Sequence, residues 1–311
     1  MNILIVIPLY NKADTIKRAV ESALGQTVAC DILVVDDGST DASLANLSEI
    51  KNDRITVIQQ SNHGVSHARN IGIKNAKKNE YDFVAFLDAD DYWMPDHLTE
   101  ISSCMAAFPS AQIIANNYKL KFSPKKFSKT KFSNWNADEP KILDSFFDYN
   151  GLNSILSSSS FAMSVQNEDP LFYEENLTHT EDTDFMIRAG LEKKIVFNPT
   201  TTVIIDKTGK NRSGNVPLKQ RTITDYDQYE EKYPEVPGLK KFLDINRFSV
   251  AIGYRLQNDI KNAALYQHKI DTNNLTGKQQ NLLTMSSRQL KALKRTQRIL
   301  GNLGFRLRTG R

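Results

Sequence analysis

Asp82-Phe83-Val84-Ala85-Phe86-Leu87-Asp88-Ala89-Asp90-Asp91-Tyr92-Trp93 carries an apolar run straight into three carboxylates within four positions. A run bounded in this way reads as a buried strand whose C-terminal end delivers the acids to a crevice. Like charges packed that closely repel unless something positive sits among them, and a divalent cation with oxygen ligands neutralises them. The alternative is a helix start, in which Asp91 or Asp96 caps the segment beginning near Pro95 and the other acids are solvated. The flanking sequence decides between the two.

Outward from that stretch, short apolar runs alternate with helical periodicity. Residues 3–7, 32–35, 55–58, 83–87 and 113–115 read as strands, and 13–24, 42–50, 65–76 and 95–108 as helices. This α/β alternation predicts an open, mostly parallel sheet with helices on both faces and a functional crevice beyond the strand C-termini. Pro8-Leu9-Tyr10-Asn11 then follows the first strand, Asp36-Asp37-Gly38-Ser39-Thr40-Asp41 the second and Asp88-Ala89-Asp90-Asp91 the fourth. Beyond Asn117 the alternation stops. Residues 119–131 hold six lysines and no acid, with Phe122, Phe127 and Phe132 among and beside them. That pattern suits a solvated hairpin, or a flap facing an acceptor or a lipid headgroup. Residues 156–165 read as a further strand, 181–191 as a helix, and 194–197 with 201–205 as a closing strand pair. Residues 209–217 form a polar, Gly-containing loop suited to mobility.

At 311 residues and 40% hydrophobic, the chain can bury a full core, as one large domain with an appendage or as two modest ones. Cys30 and Cys104 lie in apolar segments without metal-ligand spacing, which fits inert buried thiols in a reduced, cytoplasmic protein. The first strand starts without the charged lead and cleavage site of a secretory leader, so none is expected. Nothing approaches the roughly 20 apolar residues of a membrane span. A net charge of +4 is too small to imply nucleic acid, but it is unevenly placed: residues 272–311 hold nine Lys and Arg and no acid. There Leu283, Leu290, Leu293 and Leu300 form one stripe, with Arg288, Lys291, Lys294, Arg295 and Arg298 largely elsewhere. Such a helix can lie on an anionic membrane, pack against the main body, or pair with a second copy; a homodimer is permitted without being required.

Three further segments have chemistry to offer. The carboxylate of Asp37, at a strand end, can accept the imide N–H of a uracil or hydrogen-bond a ribose, although turn chemistry alone explains Gly38 and Ser39. His63-Gly64-Val65-Ser66-His67-Ala68-Arg69-Asn70 opens a helix whose free N–H groups attract phosphate, and the planar fork of Arg69 suits a phosphate or a base edge. Glu181-Asp182 also opens a helix, where acids serve as caps as readily as in chemistry. The chain has neither Gly-x-Gly-x-x-Gly nor a P-loop, which argues against dinucleotide and triphosphate readings.

Together these residues resemble the family 2 glycosyltransferases, inverting enzymes of the nucleotide-diphospho-sugar transferase (GT-A) fold, over residues 3 to about 205. The resemblance is carried by Ile7-Pro8-Leu9-Tyr10-Asn11, by Val35 to Asp41, by Gly64 to Asn70, by Asp88-Ala89-Asp90-Asp91 and by Glu181-Asp182-Thr183-Asp184-Phe185. It implies that Pro8 and Tyr10 line a nucleotide pocket, that Asp37 reads uracil with Arg69 nearby, and that Asp88 contacts the ribose or sugar. It further implies that Asp90 binds Mn²⁺ or Mg²⁺ bridging a diphosphate. Asp182 becomes the general base, with Glu181 its competitor, while Asp184 solvates the helix start. Many relatives place a His in a Tyr-Arg-x-His-like segment after the last strand; here the run is Asp206-Lys207-Thr208-Gly209-Lys210-Asn211-Arg212-Ser213. In this departure from the pattern Lys207, Lys210 or Arg212 is expected to close over the diphosphate as a mobile lid, with a surface turn as the equal alternative.

The same resemblance implies a catalytic domain over residues 1–215, with a donor half (1–117) and an acceptor half (118–215), and a helical region over 216–311. The implied partners are a UDP-sugar donor and a glycan or lipid-linked glycan acceptor of surface-polysaccharide or lipopolysaccharide assembly. No nucleic acid is implied, and the basic C-terminus would meet the inner face of the cell membrane. A sugar-nucleotidyltransferase shares the fold but carries a Gly-rich basic segment after its first strand, where this chain has Pro8-Leu9-Tyr10-Asn11-Lys12. A catalytically silent sugar-nucleotide binder is the rival from another class.

Overall fold

A computed structural model describes residues 2–151, 153–166, 170–209 and 216–302, with side chains as far as residue 296. Its strands are β1 (Ile3–Leu9), β2 (Asp31–Asp36), β3 (Ile55–Gln59), β4 (Phe83–Phe86), β5 (Tyr92–Trp93), β6 (Ile113–Ser123), β7 (Lys126–Lys129), β8 (Lys141–Ile142), β9 (Phe161–Ser164) and β10 (Ile195–Asp206). They form one sheet in the order β3-β2-β1-β4-β9-β6-β10-β5, with β7 on β6 and β8 on β10. β1 pairs in parallel with β2 and β4, and β2 with β3, the open parallel half that the alternation predicts. β9 enters antiparallel between β4 and β6, so the second half is mixed.

Period-2 alternation sorts the strand residues onto two covered faces. Leu4, Val6, Leu33, Val35, Val84 and Phe86 point to one face, where α3 (Val65–Lys78) and α6 (Glu181–Glu192) bury Ala68, Ile73, Phe185 and Ile187. Ile5, Ile7, Leu9, Ile32, Val34 and Leu87 point to the other, beneath α1 (Ile16–Leu24) and α4 (His97–Ala107). Cys30 and Cys104 are buried and free, and burial raises both thiols, Cys104 to about 11.

Two expectations need correction, and one alternative drops out. The closing pair is one strand, β10, whose register against β6 slips between Asn198 and Val203; Pro199 has no N–H to give a ladder, and the slip absorbs it. The strand expected over 156–165 covers only Phe161–Ser164, because Ser158–Ser160 turn as a 3₁₀ helix closed by a Ser157–Ser160 capping box. The acids after β4 do not start a helix. α4 begins later, at His97, and Asp96 makes no side-chain cap bond.

Beyond residue 215 lie α7 (Tyr226–Lys232), α8 (Leu239–Leu256), α9 (Ile260–Gln267), α10 (Gly277–Thr284) and α11 (Ser287–Asn302), with the short α2 (Ser43–Ser48) and α5 (Phe146–Tyr149) earlier in the chain. Phe242, Leu243, Val250 and Tyr254 of α8 join the same core as the sheet. Other α8 residues, Phe248 and Ala251, meet Leu282, Leu283 and Leu290, with Leu293 packed against them. The leucine stripe therefore packs within the chain as far as side chains are described; Leu300 lies outside them. Arg288, Lys291, Lys294 and Arg295 stay exposed. Among the described residues no helix is long and apolar enough to cross a membrane.

Candidate active site

The turn after β4 places Asp88, Asp90 and Asp91 where the C-terminal ends of β1 and β4 meet. One ligand oxygen from each lies within 4.8 Å of the others. The three are not equivalent. Asp91 is buried: its Oδ2 accepts from Ser159 Oγ at 2.6 Å and its Oδ1 from the Asp206 N–H at 2.8 Å. Burial, and then the neighbouring Asp88 and Asp90 charges, push its carboxyl up to about 8. Both Asp91 oxygens are thus engaged in shaping the turn, and Asp88 and Asp90 are left to face outward. Their hard carboxylate oxygens fit Mn²⁺ or Mg²⁺.

Cations reach this turn from both faces of the sheet. From α3, Arg69 is 2% exposed and donates from Nη2 to Asp88 Oδ1 and from Nη1 to Asp182 Oδ1, each at 2.8 Å. Its guanidinium also lies 4.9 Å from the Tyr173 ring centroid. Asp182 and then Asp88 hold it protonated well above the usual arginine range, against the effect of burial. From the other face, Lys12 Nζ meets Asp90 Oδ2 at 2.6 Å. Arg18 Nη2 donates to the Asp90 carbonyl at 2.7 Å while its Nη1 meets Asp206 Oδ2 at 2.8 Å. Lys121 Nζ meets the same Asp206 oxygen at 3.0 Å.

Asp182 opens α6 with a fixed orientation. Arg69 and Ser158 Oγ, the latter at 3.0 Å, both donate to its Oδ1, and the side chain is 42% exposed. The residue before α6, Thr180, has φ 68°, a costly conformation for a β-branched residue. Thr224 holds it there: its N–H donates to Thr180 Oγ1 at 2.9 Å and its hydroxyl to the Thr180 carbonyl at 3.1 Å. Burial, then the charge of Asp182, raises Glu181 above the usual range. Asp184 does not solvate the helix start. It is buried, paired with Arg188 at 2.8 Å and accepting from Tyr229 Oη at 2.7 Å, and it ties α6 to α7.

The residues expected to line a nucleotide pocket spread along the strand ends. Tyr10 is 46% exposed beside half-buried Pro8. Asp37 is buried; its Oδ1 accepts from the His63 N–H at 2.8 Å and Gln60 Nε2 at 2.7 Å, and its Oδ2 from the Gly64 N–H at 2.8 Å. It therefore clamps the segment leading into α3, where Gly64 takes φ 93°. The Lys207 side chain is exposed and its N–H donates to the Lys121 carbonyl at 2.7 Å. Lys210 and Arg212 lie outside the described residues. Sequence reasoning missed Lys12, Arg18, Ser158, Ser159 and Asp206. Only the serine run of residues 157–160 left a signal, as an unusual polar stretch leading into an apolar strand.

A model of the family described as Glycosyl transferase family 2 matches residues 4–167. Succinoglycan biosynthesis protein ExoW of Rhizobium meliloti (strain 1021) is 44% identical over 109 residues, 33% of this chain and 34% of that protein. UDP-Glc:alpha-D-GlcNAc-diphosphoundecaprenol beta-1,3-glucosyltransferase WfaP of Escherichia coli is 44% identical over 92 residues, 29% of this chain and 36% of that one. An uncharacterized glycosyltransferase of Rickettsia felis is 28% identical over 258 residues, 80% of this chain and 35% of its own. The alignments thus span about a third of each relative's length. Among solved structures, S. aureus TarS 1-349 in complex with UDP-GlcNAc superposes with a TM-score of 0.65 at 19% identity, over 95% of this chain and 92% of that one. At that identity the likeness is one of fold.

Proposed function

Because the chain belongs to glycosyl transferase family 2, we propose that it is an inverting glycosyltransferase, moving a sugar from a UDP-sugar to a hydroxyl of a glycan or lipid-linked glycan. The observation that carries this reading is the Arg69 bridge: one buried guanidinium holds Asp88 of the acid turn and Asp182 of α6 at 2.8 Å each. Donor-side and acceptor-side carboxylates are thereby fixed relative to one another, as a displacement between two substrates requires.

In this reading Asp182 Oδ2 takes the proton of the acceptor hydroxyl as its oxygen bonds to the anomeric carbon. The bond from that carbon to the diphosphate oxygen breaks, its electron pair leaves with UDP, and one displacement inverts the configuration. Arg69 and Ser158, both on Oδ1, keep the basic oxygen aimed. Asp90, with Asp88, would hold Mn²⁺ or Mg²⁺, which supplies charge stabilisation for the departing diphosphate. Tyr10 and Pro8 offer a surface for the base, and the Asp37 clamp shapes its rim. The UDP-GlcNAc complex of the TarS neighbour and the UDP-Glc donor in the WfaP name support a UDP-sugar. The diphosphoundecaprenol in that name and the succinoglycan role of ExoW support an acceptor of surface-polysaccharide assembly. That acceptor would be met at the inner face of the cell membrane.

The test is a panel of UDP-sugars with Mn²⁺ and candidate acceptors, read as UDP release and as product anomeric configuration by NMR coupling. We expect acceptor-dependent release with inversion from one donor, and its loss in Asp90→Ala. A product that retains the donor's configuration, or the absence of UDP binding, would refute the assignment.

A further inference from the structure

Lys12 reaches a carboxylate oxygen of the acid turn, neither the family pattern nor the mechanism above employs it, and its geometry is specific. Its backbone is fixed: the N–H donates to Ser43 Oγ at 2.8 Å, and the carbonyl accepts from the Thr15 and Ile16 N–H groups at 3.0 Å each. The preceding Asn11, at φ 50°, is locked by its own N–H on Ser39 Oγ at 3.0 Å and by the Thr40 N–H on its Oδ1 at 2.8 Å. From this anchored base only the flexible side chain reaches out, and its ammonium ends 2.6 Å from Asp90 Oδ2. Asp90 itself does not depend on Lys12 for its place, since Arg18 holds its backbone carbonyl and Asp91 shapes the turn beneath it. Both partners are about one-fifth exposed, at 21% and 22%, so the pair can open without unfolding anything.

An ammonium and a divalent cation on one carboxylate repel each other, and that repulsion opposes the attraction each has for it. We infer that Lys12 is a built-in rival of the metal for Asp90, which moves onto the diphosphate when metal and nucleotide arrive together. The consequence is a coupling between two ligands. A cation alone must displace Lys12 from Asp90 before any diphosphate is there to receive it, and binds weakly. With the diphosphate present, the released ammonium gains a new partner, so each ligand strengthens the other, and by linkage the factor is the same in both directions. The inference rests on the donor-site reading of Asp90.

The experiment measures Mn²⁺ binding to the full chain by electron paramagnetic resonance, with and without UDP, in wild type, Lys12→Met and Lys12→Arg. We expect Lys12→Met to bind Mn²⁺ alone about tenfold more tightly and to shrink the enhancement by UDP by about tenfold, well inside the usual range of such couplings. Lys12→Arg, which keeps the charge, should stay near wild type. Thermal unfolding of each variant checks the fold, and no backbone anchor named above uses the Lys12 side chain. Unchanged Mn²⁺ affinity and unchanged enhancement in Lys12→Met, with UDP still bound, overturn the inference alone. If wild type takes up neither Mn²⁺ nor UDP, the donor-site reading falls and this inference with it.

Discussion

Asp182 shows how much a single carboxylate owes to its neighbours. A free Asp at a helix start turns through several rotamers and meets water with both oxygens; here Arg69 and Ser158 occupy Oδ1 and leave Oδ2 as the outward one. Asp182→Asn separates geometry from basicity. The amide oxygen can still accept from Arg69 and Ser158, and the amide nitrogen can take Oδ2's place, but it cannot accept a proton. We expect kcat to fall by about 10²–10⁴, the usual contribution of a positioned base. UDP binding, read as thermal stabilisation in Mn²⁺, should remain near wild type. A variant that turned over at the wild-type rate would pass the role to Glu181, whose carboxyl burial and Asp182 together hold above its ordinary range.

At the scale of the element, α3 shows what could be read in advance. Its extent and its glycine-led start were legible in the sequence, which put Arg69 on it for a phosphate or a base edge. So was the strand that ends at Asp88, because its apolar run and its acids are neighbours in the chain. The partners were not legible. Arg69 and Asp182 are 113 positions apart, Lys12 and Asp90 are 78, and Ser159 and Asp91 are 68, and local periodicity holds no information about such pairs. The antiparallel entry of β9 and the unbroken run of β10 likewise depend on which edges remain free after the parallel half has formed. Packing of α3 on β1 gives a sharp test. A Cβ built on Gly72 would stand 2.4 Å from both Val6 Cγ atoms, in the fully buried interior. Gly72→Ala should therefore cost about 1–3 kcal/mol by overpacking, despite alanine's better helix propensity. Gly277→Ala in α10, where a Cβ meets nothing within 4 Å, is the control and should be neutral or slightly stabilising in urea unfolding.

Across the whole molecule, one buried base ties α4 to the mixed half of the sheet behind the site. His97, at 0% exposure, shares a hydrogen bond between Nδ1 and Thr202 Oγ1 of β10 at 2.7 Å, and its ring lies 4.2 Å from that of Trp93. Trp93 Nε1 in turn donates to the Ser159 carbonyl at 2.7 Å, and Ser159 grips Asp91. Burial pulls the imidazole down to about 3, against an ordinary value of 6.5. Between those two pH values the unfolded chain binds a proton that the native chain refuses, so stability is full above about 6.5 and declines as pH falls toward 3. The loss is on the order of a few kcal/mol when complete. Asp206, held down to about 2 by the Thr208 hydrogen bonds and the Lys121 and Arg18 charges despite its burial, acts in a lower window. Its contribution is present above about 3.8 and fades as pH falls toward 2, so the two effects separate. His97→Gln, which can still hydrogen-bond Thr202 but does not titrate, should gain urea midpoint over wild type as pH falls from 6.5 to 4.5, on top of the opposite slope that Asp91, held up to about 8, gives both proteins, and should leave the Asp206 decline below pH 4 in place. A wild-type slope in that variant would move the acid sensitivity to another group and free His97 of any part in it.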